Sequence, residues 1–307
     1  MKQTTDQSVL LFELFDEYIR LYQEFFVVSS LTAMYQMSRH ILFNDIPGVP
    51  DIPAALDRFM ENIREESFDK EELRKALVAT TLKAYRHDKI ANSEMTPDSI
   101  SLLVGYVVSK YFERRESFSL CDPVVGTASM LTAVANMVHH QGDIVAMDSN
   151  WDQIQTARVF TDLTGYDVDF ILEDCLTSGV QGFDCIIADV PLYVYDDDYF
   201  PHRFVAHWVS KIEPGGVMVA VIPNDFFDVQ SVYKDEILQQ ASLVGLIQLP
   251  ADMFVDPKLQ KSILLVEPGK RKTEDFLLVE LPRLEEQEEF QVAIQRMEQW
   301  FQKEKNK

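Results

Sequence analysis

The chain has 307 residues, 47% of them hydrophobic, which is long and apolar enough for one large domain plus an appendage. A formal charge of −22 opposes long-range attraction to nucleic-acid phosphates, and the adjacent basic residues Arg114-Arg115 and Arg271-Lys272 are isolated pairs rather than a patch. The three cysteines, Cys121, Cys175 and Cys185, form no CxxC and are odd in number. Neither a metal site nor a disulfide framework is indicated, and small core residues of a reduced cytosol are expected. The N-terminal segment mixes acids into an apolar run without a cleavage-type site, and no apolar run approaches the roughly 20 residues of a membrane span. A cytoplasmic protein with no membrane partner is expected.

Residues 6–90 read as helices only. Leu11, Phe15, Tyr18, Tyr22 and Phe25 recur at helical spacing and form a stripe on one face. A second helix over 31–43 stops at Asn44-Asp45-Ile46-Pro47-Gly48, which is turn chemistry. Shorter helices are expected over 53–65 and 69–86, the latter opened by Asp69 as N-cap with Glu71 and Glu72 in its first turn. Together they define a helical domain over 1–92. Its aromatic stripe is read as packing on the neighbouring domain, in preference to a surface for a homodimer or another protein partner.

From Met95 the pattern changes. Thr96-Pro97 opens a helix that runs through Ile100, Leu103, Val104 and Val107 to Phe112. Short apolar strands at 118–121, 143–147, 169–173, 184–188, 216–222, 243–249 and 261–266 then alternate with helices near 128–140, 151–164, 201–213 and 231–241. This alternation predicts an α/β fold over 93–282, a doubly wound, mostly parallel seven-stranded sheet covered on both faces. The last connection is too short for a helical crossover, so the final strand is expected to be antiparallel. Beyond Pro282, over 283–307, Phe290, Ile294, Met297 and Phe301 line one face of an amphipathic helix.

The stretch 118–141 joins strand, turn and helix in the order that sets backbone N–H groups and a helix N-terminus beside a carboxylate. Asp122 stands where the strand emerges, and Pro123, Gly126 and Thr127 build the turn. Taken alone, this is equally an ordinary βα turn capped by Asp122. Asp148 ends the second strand 22 positions beyond Gly126, the spacing at which a carboxylate accepts both hydroxyls of a ribose. Asp148 or Ser149 would also serve as N-cap of the helix that begins near Trp151. Asp174 ends the third strand, where it would accept from the exocyclic amine of an adenine. Asp189 ends the fourth, followed by Pro191, Tyr193 and Tyr195: a hydrogen-bond acceptor with aromatic faces, or a polar loop. His202 and His207 are five apart and do not share a helix face as metal ligands would.

In this order the motifs resemble the class I S-adenosylmethionine-dependent methyltransferases, and within them the adenine-N6 branch that includes the modification subunits of bacterial type I restriction systems. The resemblance covers residues 92–267. Thr96-Pro97 is similar to the segment before that branch's first motif. DPVVGTASML is similar to DPxxGTGSxL, keeping Asp122, Pro123, Gly126 and Thr127, with Ala128 where a glycine is usual. EPGGVMVAVIPNDFF, LVGLIQLPADMF and KSILLVE resemble the family's fifth, sixth and seventh strands. The resemblance implies a class I methyltransferase-like fold with S-adenosylmethionine as cofactor. It implies cofactor contacts from Thr96, Pro97, Asp122, Pro123, Gly126, Thr127, Ala128, Asp148, Asp174, Cys175 and Asp189. Asp189-Val190-Pro191-Leu192 aligns with the tetrad (N/D)PP(Y/F), which implies catalytic roles for Asp189, Pro191 and the neighbouring Tyr193, and DNA or another nucleobase-containing acceptor as partner.

Two tetrad positions depart from the pattern. Val190 replaces a proline, and Leu192 replaces the aromatic that stacks on a flipped base, an interaction worth about 1–3 kcal/mol. Adenine binding is therefore expected to be weakened unless Tyr193 or Tyr195 supplies the ring. Three readings remain: an active methyltransferase, a module that binds S-adenosylmethionine and acts through its helices on other proteins, and a nicotinamide-dependent dehydrogenase. The last shares the sheet and the ribose acid, but the chain has no GxGxxG.

Overall fold

A computed structural model describes residues 7–46, 48–49, 52–65, 68–192, 194–195, 198–271 and 275–304. Four helices come first, α1 (Gln7–Phe25), α2 (Ser30–Phe43), α3 (Ala54–Glu65) and α4 (Lys70–Asp88). Helix α5 (Asp98–Tyr111) leads into β1 (Leu120–Asp122), α6 (Ser129–Met137), β2 (Ile144–Asp148), α7 (Trp151–Thr164), β3 (Asp169–Leu172) and β4 (Phe183–Asp189). A hairpin of β5 (Val194–Tyr195) and β6 (Asp198–Tyr199) precedes α8 (Phe200–Val209), β7 (Ile212–Pro223), α9 (Val232–Gln240), β8 (Ala241–Gln248) and β9 (Lys261–Pro268). Strand β10 (Leu277–Glu280) and helix α10 (Gln287–Glu304) follow. Among the described residues no helix is long and apolar enough to cross a membrane.

The chain forms two compact units. The first comprises Met1–Leu102, Val125–Met137 and Asn150–Val168; the second comprises Leu103–Val124, Val138–Ser149 and Asp169–Lys307. In the first, α1 packs on α2, α3 and α4, while α2 and α4 pack on α7 and α6. Leu11, Phe15, Tyr18 and Tyr22 are buried, and their stripe is the interior of the helical cluster itself. The expectation that the stripe covers a neighbouring domain is corrected here: three helices already surround it. Within that interior the Tyr18 hydroxyl lies 2.8 Å from His40 Nδ1, and His40 Nε2 lies 3.1 Å from Asp57. Burial pushes the imidazole of His40 below its ordinary pKa.

Asp69 opens α4 as expected, in a full capping box with Glu72. One turn on, the fully buried Arg74 side chain forks onto Glu71, at 2.8 and 2.5 Å, and reaches Asp98 at 2.5 Å. Asn136 of α6 donates to Glu71 at 3.0 Å and accepts from the Tyr166 hydroxyl at 2.9 Å. Burial pushes Glu71 up, but the hydrogen bonds from Arg74 and Asn136 outweigh it and hold the carboxyl below its usual range. A buried guanidinium with two carboxylates is stable only while all its partners remain.

The second unit is built on an eight-stranded sheet in the order β10-β8-β9-β7-β4-β1-β2-β3. Strand β9 runs antiparallel to both β7 and β8, as its short connection predicts, and the other pairings are parallel. The eighth strand, β10, goes beyond the expected seven: it is four residues long and adds to the edge beside β8. Its alternation is real, with Leu277 and Val279 buried and Leu278 71% exposed, but too short to stand out in sequence. Strand β7 also starts four residues earlier than expected, at Ile212. Gly216 makes this feasible, since a Cβ there would lie 2.3 Å from the carbonyl oxygen of Asp184. One face of the sheet packs a core that includes Met147, Ile186, Phe204, Trp208, Met218 and Leu264.

Replacing Arg74 by Met should cost about 1–3 kcal/mol, because two carboxylates, 33% and 35% exposed, lose the charged hydrogen bonds of a buried guanidinium. Urea denaturation measures it, and a loss below about 1 kcal/mol would show that Glu71 and Asp98 find other compensation.

Candidate functional site

In the second unit, strand register places the predicted acids. Asp122 pairs with Ala146, so Asp148 lies two residues further out along β2. Cys121 pairs with Ile186, which sets Asp122 level with Ile187 and leaves Asp189 two residues further out along β4. Side chains two apart on a strand share a face, so the three carboxylates share one side of the sheet at its carboxyl edge. Asp148 pairs with Leu172, and Asp174 continues two residues beyond β3.

The middle acid is the most deeply placed. Asp122 is 1% exposed, and its carboxylate accepts from the Val124 N–H at 3.2 Å. It does not cap α6; its bond to the Val124 N–H closes the turn after β1, as an ordinary βα turn would also have it. Burial pushes its pKa up to about 8; the Val124 hydrogen bond works in the opposite direction, and the charges of Asp148 and Asp189 add to the rise. Asp148 is half-buried and is not the cap of α7 either, since Asn150 fills that role by accepting from the Asp152 N–H at 2.9 Å. Asp174 accepts from the Leu176 N–H at 2.9 Å, a local turn that fixes its direction. Cys175 is buried beside it, and burial, with the charges of Asp174 and Asp148, pushes its thiol up to about 12. All three cysteines are free and buried.

Asp189 is held by a residue that the sequence reading did not single out. Lys261, the first residue of β9, places its Nζ 2.5 Å from Asp189 Oδ1. After Asp189, Val190 is buried and its N–H donates to Val221 O at 2.9 Å, whereas Pro191 is half-buried and Leu192 is 41% exposed. Tyr193 lies outside the described residues, and Tyr195 belongs to β5. Another aromatic stands close by in sequence: Tyr199, whose hydroxyl donates to Asp225 and whose ring meets His202 edge-on at 4.8 Å. Burial first, and then the hydrogen bond to Asp225, push that phenol above its ordinary pKa. His202 itself is fully buried between Ser231 Oγ at 2.8 Å and Phe226 O at 2.6 Å. The Asn224 side-chain Oδ1 accepts from the Ser262 hydroxyl at 2.7 Å, and the Asn224 backbone N–H donates to Gln260 O at 3.0 Å, which ties the ends of β7 and β9 together. These partners lie tens of residues apart, and no local pattern announces them.

The turn residues belong to the first unit. Gly126 has φ +52° and lies where a Cβ would be 3.7 Å from Glu94 O. Ala128 is fully buried at φ +61°, a left-handed conformation that costs a residue with a Cβ roughly 1–2 kcal/mol. The glycine usual at this place in the resembled motif therefore has a conformational reason, and this chain keeps the conformation without it. Thr127 Oγ1 accepts from the Ser129 N–H at 3.4 Å, and the Ala128 N–H donates to Val125 O at 2.8 Å. Thr96 is half-buried, and the Pro97 carbonyl accepts from Ile100 and Ser101 as α5 begins. Pro123, between Asp122 and the turn, is buried.

A mixed sheet with one antiparallel strand inserted beside β7, and acids at the tips of β1, β2 and β4, defines the chain as having the class I methyltransferase-like fold. The solved structures it resembles are S-adenosylmethionine-dependent methyltransferases, modification subunits of type I restriction systems among them. A Listeria monocytogenes protein assigned to the class I S-adenosylmethionine-dependent methyltransferases superposes with a TM-score of 0.86 at 25% identity, over 96% of this chain and 98% of that one. The methyltransferase subunit of a Streptococcus thermophilus type I restriction-modification system superposes at 0.57 with 15% identity, over 87% of this chain and 67% of that one. The latter is a likeness of fold. In sequence, the uncharacterised protein YtxK of Bacillus subtilis is 25% identical over 276 residues, 81% of this chain and 83% of that protein. No family model matches the chain.

The raised pKa of Asp122 has a consequence for stability. A carboxyl that titrates near 8 in the folded state and near 3.8 when exposed binds its proton more tightly when folded, so its contribution is lost as pH rises across that window. The ligand-free protein should lose stability, on the order of a few kcal/mol, between about pH 4 and pH 8 relative to Asp122→Asn. Paired thermal melts across this range test it, and parallel pH profiles for the two proteins would place the charge elsewhere.

Proposed function

We propose that the chain binds S-adenosylmethionine at the carboxyl edge of the sheet and transfers its methyl group to an acceptor, with chemistry related to the adenine-N6 methyltransferases. The observation that carries this reading is the row Asp122, Asp148 and Asp189 on one side of three neighbouring strand tips. The fit can be tested on Asp122. A fully buried carboxyl whose pKa reaches about 8 gains most from a ligand that brings positive charge, and the cofactor carries a sulfonium and an ammonium. When bound, S-adenosylmethionine supplies an electrophilic methyl group. In the second unit Asp148 would accept hydrogen bonds from the two ribose hydroxyls, Asp174 and the Cys175 segment would border the adenine, and Pro123 fixes the exit from β1. The family resemblance assigns further cofactor contacts to Thr96, Pro97, Gly126, Thr127 and Ala128 of the first unit. Asp189 orients the acceptor and takes a hydrogen bond from its nucleophilic atom, and Pro191 shapes the loop behind it. Most of the rate enhancement then comes from positioning.

A second reading keeps the cofactor and drops the transfer: a module that binds S-adenosylmethionine and acts on other proteins. Two observations favour it. Asp189 already carries an ammonium partner, and Leu192 offers no aromatic face. Transfer to adenine in DNA is the most specific form of the first reading, and the net charge of −22 works against the duplex.

Asp148→Ala should weaken S-adenosylmethionine binding by about 1.5–3 kcal/mol with little change in melting temperature, since the cap of α7 is Asn150. Calorimetric titration of S-adenosylmethionine, its demethylated product and NAD tests both the class and the residue. Binding of NAD alone would overturn the proposal, and an unmoved affinity in folded Asp148→Ala would remove the ribose role.

A further inference from the structure

Lys261 is not placed by local necessity. It opens β9 opposite Pro223, whereas Asp189 pairs with Val221 on the other side of β7. Strands lie about 4.8 Å apart, so the lysine crosses nearly 10 Å of sheet edge, over the tip of β7, to reach the carboxylate. Such a path restricts a side chain with up to about 2 kcal/mol of rotamer entropy to lose. A lysine with no electrostatic partner at that edge would extend into water instead. The two side chains are 22% and 15% exposed, so water screens the pair only in part. The backbone at both ends is pinned: Val190 to Val221, Asn224 to Gln260, and the Ser262 hydroxyl to the Asn224 side chain. The ammonium is therefore delivered to a fixed place on the outer carboxylate of the acid row.

That row faces a cationic ligand in the function proposed above, on which this inference rests. Asp122 feels both Asp148 and Asp189, so any charge set against Asp189 is felt across the whole row. We infer that Lys261 is a positioning residue that sets the charge of the cofactor site: by holding and offsetting Asp189, it fixes how strongly the site prefers a sulfonium ligand to the neutral thioether left after methyl transfer. With Lys261 in place the row carries less net negative charge, so cofactor and demethylated product bind more nearly alike. Without it, the uncovered carboxylate holds the sulfonium form more tightly while barely changing the grip on the product. The same pair gives the acceptor side a net neutral hydrogen-bonding group, the polarity that an asparagine would provide at position 189.

The experiment is a set of calorimetric titrations with S-adenosylmethionine and S-adenosylhomocysteine on the full chain and its Lys261→Met, Lys261→Arg, Asp189→Asn and Lys261→Met/Asp189→Asn variants. The readout is the ratio of the two dissociation constants, product over cofactor. Lys261→Met should raise that ratio about three- to tenfold at low ionic strength and less at high salt, as expected for an effect of charge that water and ions partly screen. Lys261→Arg should stay within about twofold of the wild type. Asp189→Asn should lower the ratio, and the double variant should return towards the wild-type value, because the pair as a whole is neutral. A purely structural lysine would weaken both ligands together and leave the ratio where it was, which overturns the inference. Should Lys261→Met fail to fold, Asp189→Asn carries the test, and an unmoved ratio there overturns it equally. Wild-type protein that binds neither ligand overturns the cofactor reading and this inference with it; binding of both with a ratio indifferent to Lys261 overturns this inference alone.

Discussion

The structure of the second unit turns on the burial of negative charge at the tips of parallel strands. Asp122 is almost fully enclosed, with Asp148 and Asp189 near enough to raise its proton affinity further. A lone carboxylate in such a place would neutralise itself rather than remain charged. Asp122 follows that rule, its pKa rising to about 8 despite the Val124 N–H, while at one end of the row Asp189 is paired with a lysine carried across β7. Residues with no chemistry of their own follow from this constraint. Gly216 lets β7 lie close against the backbone of β4, and Asn224 with Ser262 fixes the tip over which Lys261 passes.

The first unit solves a comparable problem with the opposite charge at its centre. Arg74 is fully buried, and its guanidinium is matched by Glu71 and Asp98, with Asn136 and Tyr166 extending the network. The cluster links α4 to the start of α5 and to α6, so residues from three parts of the chain share one polar centre. This unit also contains the glycine turn and Thr96-Pro97, so the helices of the N-terminal segment and the turn bearing Gly126 and Ala128 belong to the same packing unit. A positive φ at Ala128 is a cost that the surrounding packing must offset.

The altered tetrad is joined to the sheet edge at its first two positions. Val190 in place of a proline is buried, and its N–H is used by Val221, a bond that proline would forfeit. Leu192 is largely exposed and offers no ring. Tyr199, seven residues beyond Leu192, is anchored through Asp225 and set against His202. Substituting aspartate for asparagine at the first position introduces a charge, and Lys261 offsets it.

Much of this was legible in sequence because it is encoded locally. Short apolar runs that lead into aspartates mark the strands and their tips, and Asp122, Asp148, Asp174 and Asp189 stand where that pattern places them. Asp69 and Glu72 announce a capping box within four residues, and the short connection before residue 261 forces an antiparallel strand. Tertiary structure alone decided what depends on residues far apart in the chain. Lys261 meets Asp189 across 72 positions, Arg74 meets Asp98 across 24, and the stripe of α1 closes on α2, α3 and α4. The edge strand β10 exists because Leu277 and Val279 find a covered groove beside β8, a partner that four residues cannot specify by themselves. Strand tips and caps are set by short-range hydrogen bonds and sterics, whereas the charge of a site is set by whichever side chains the fold brings within reach.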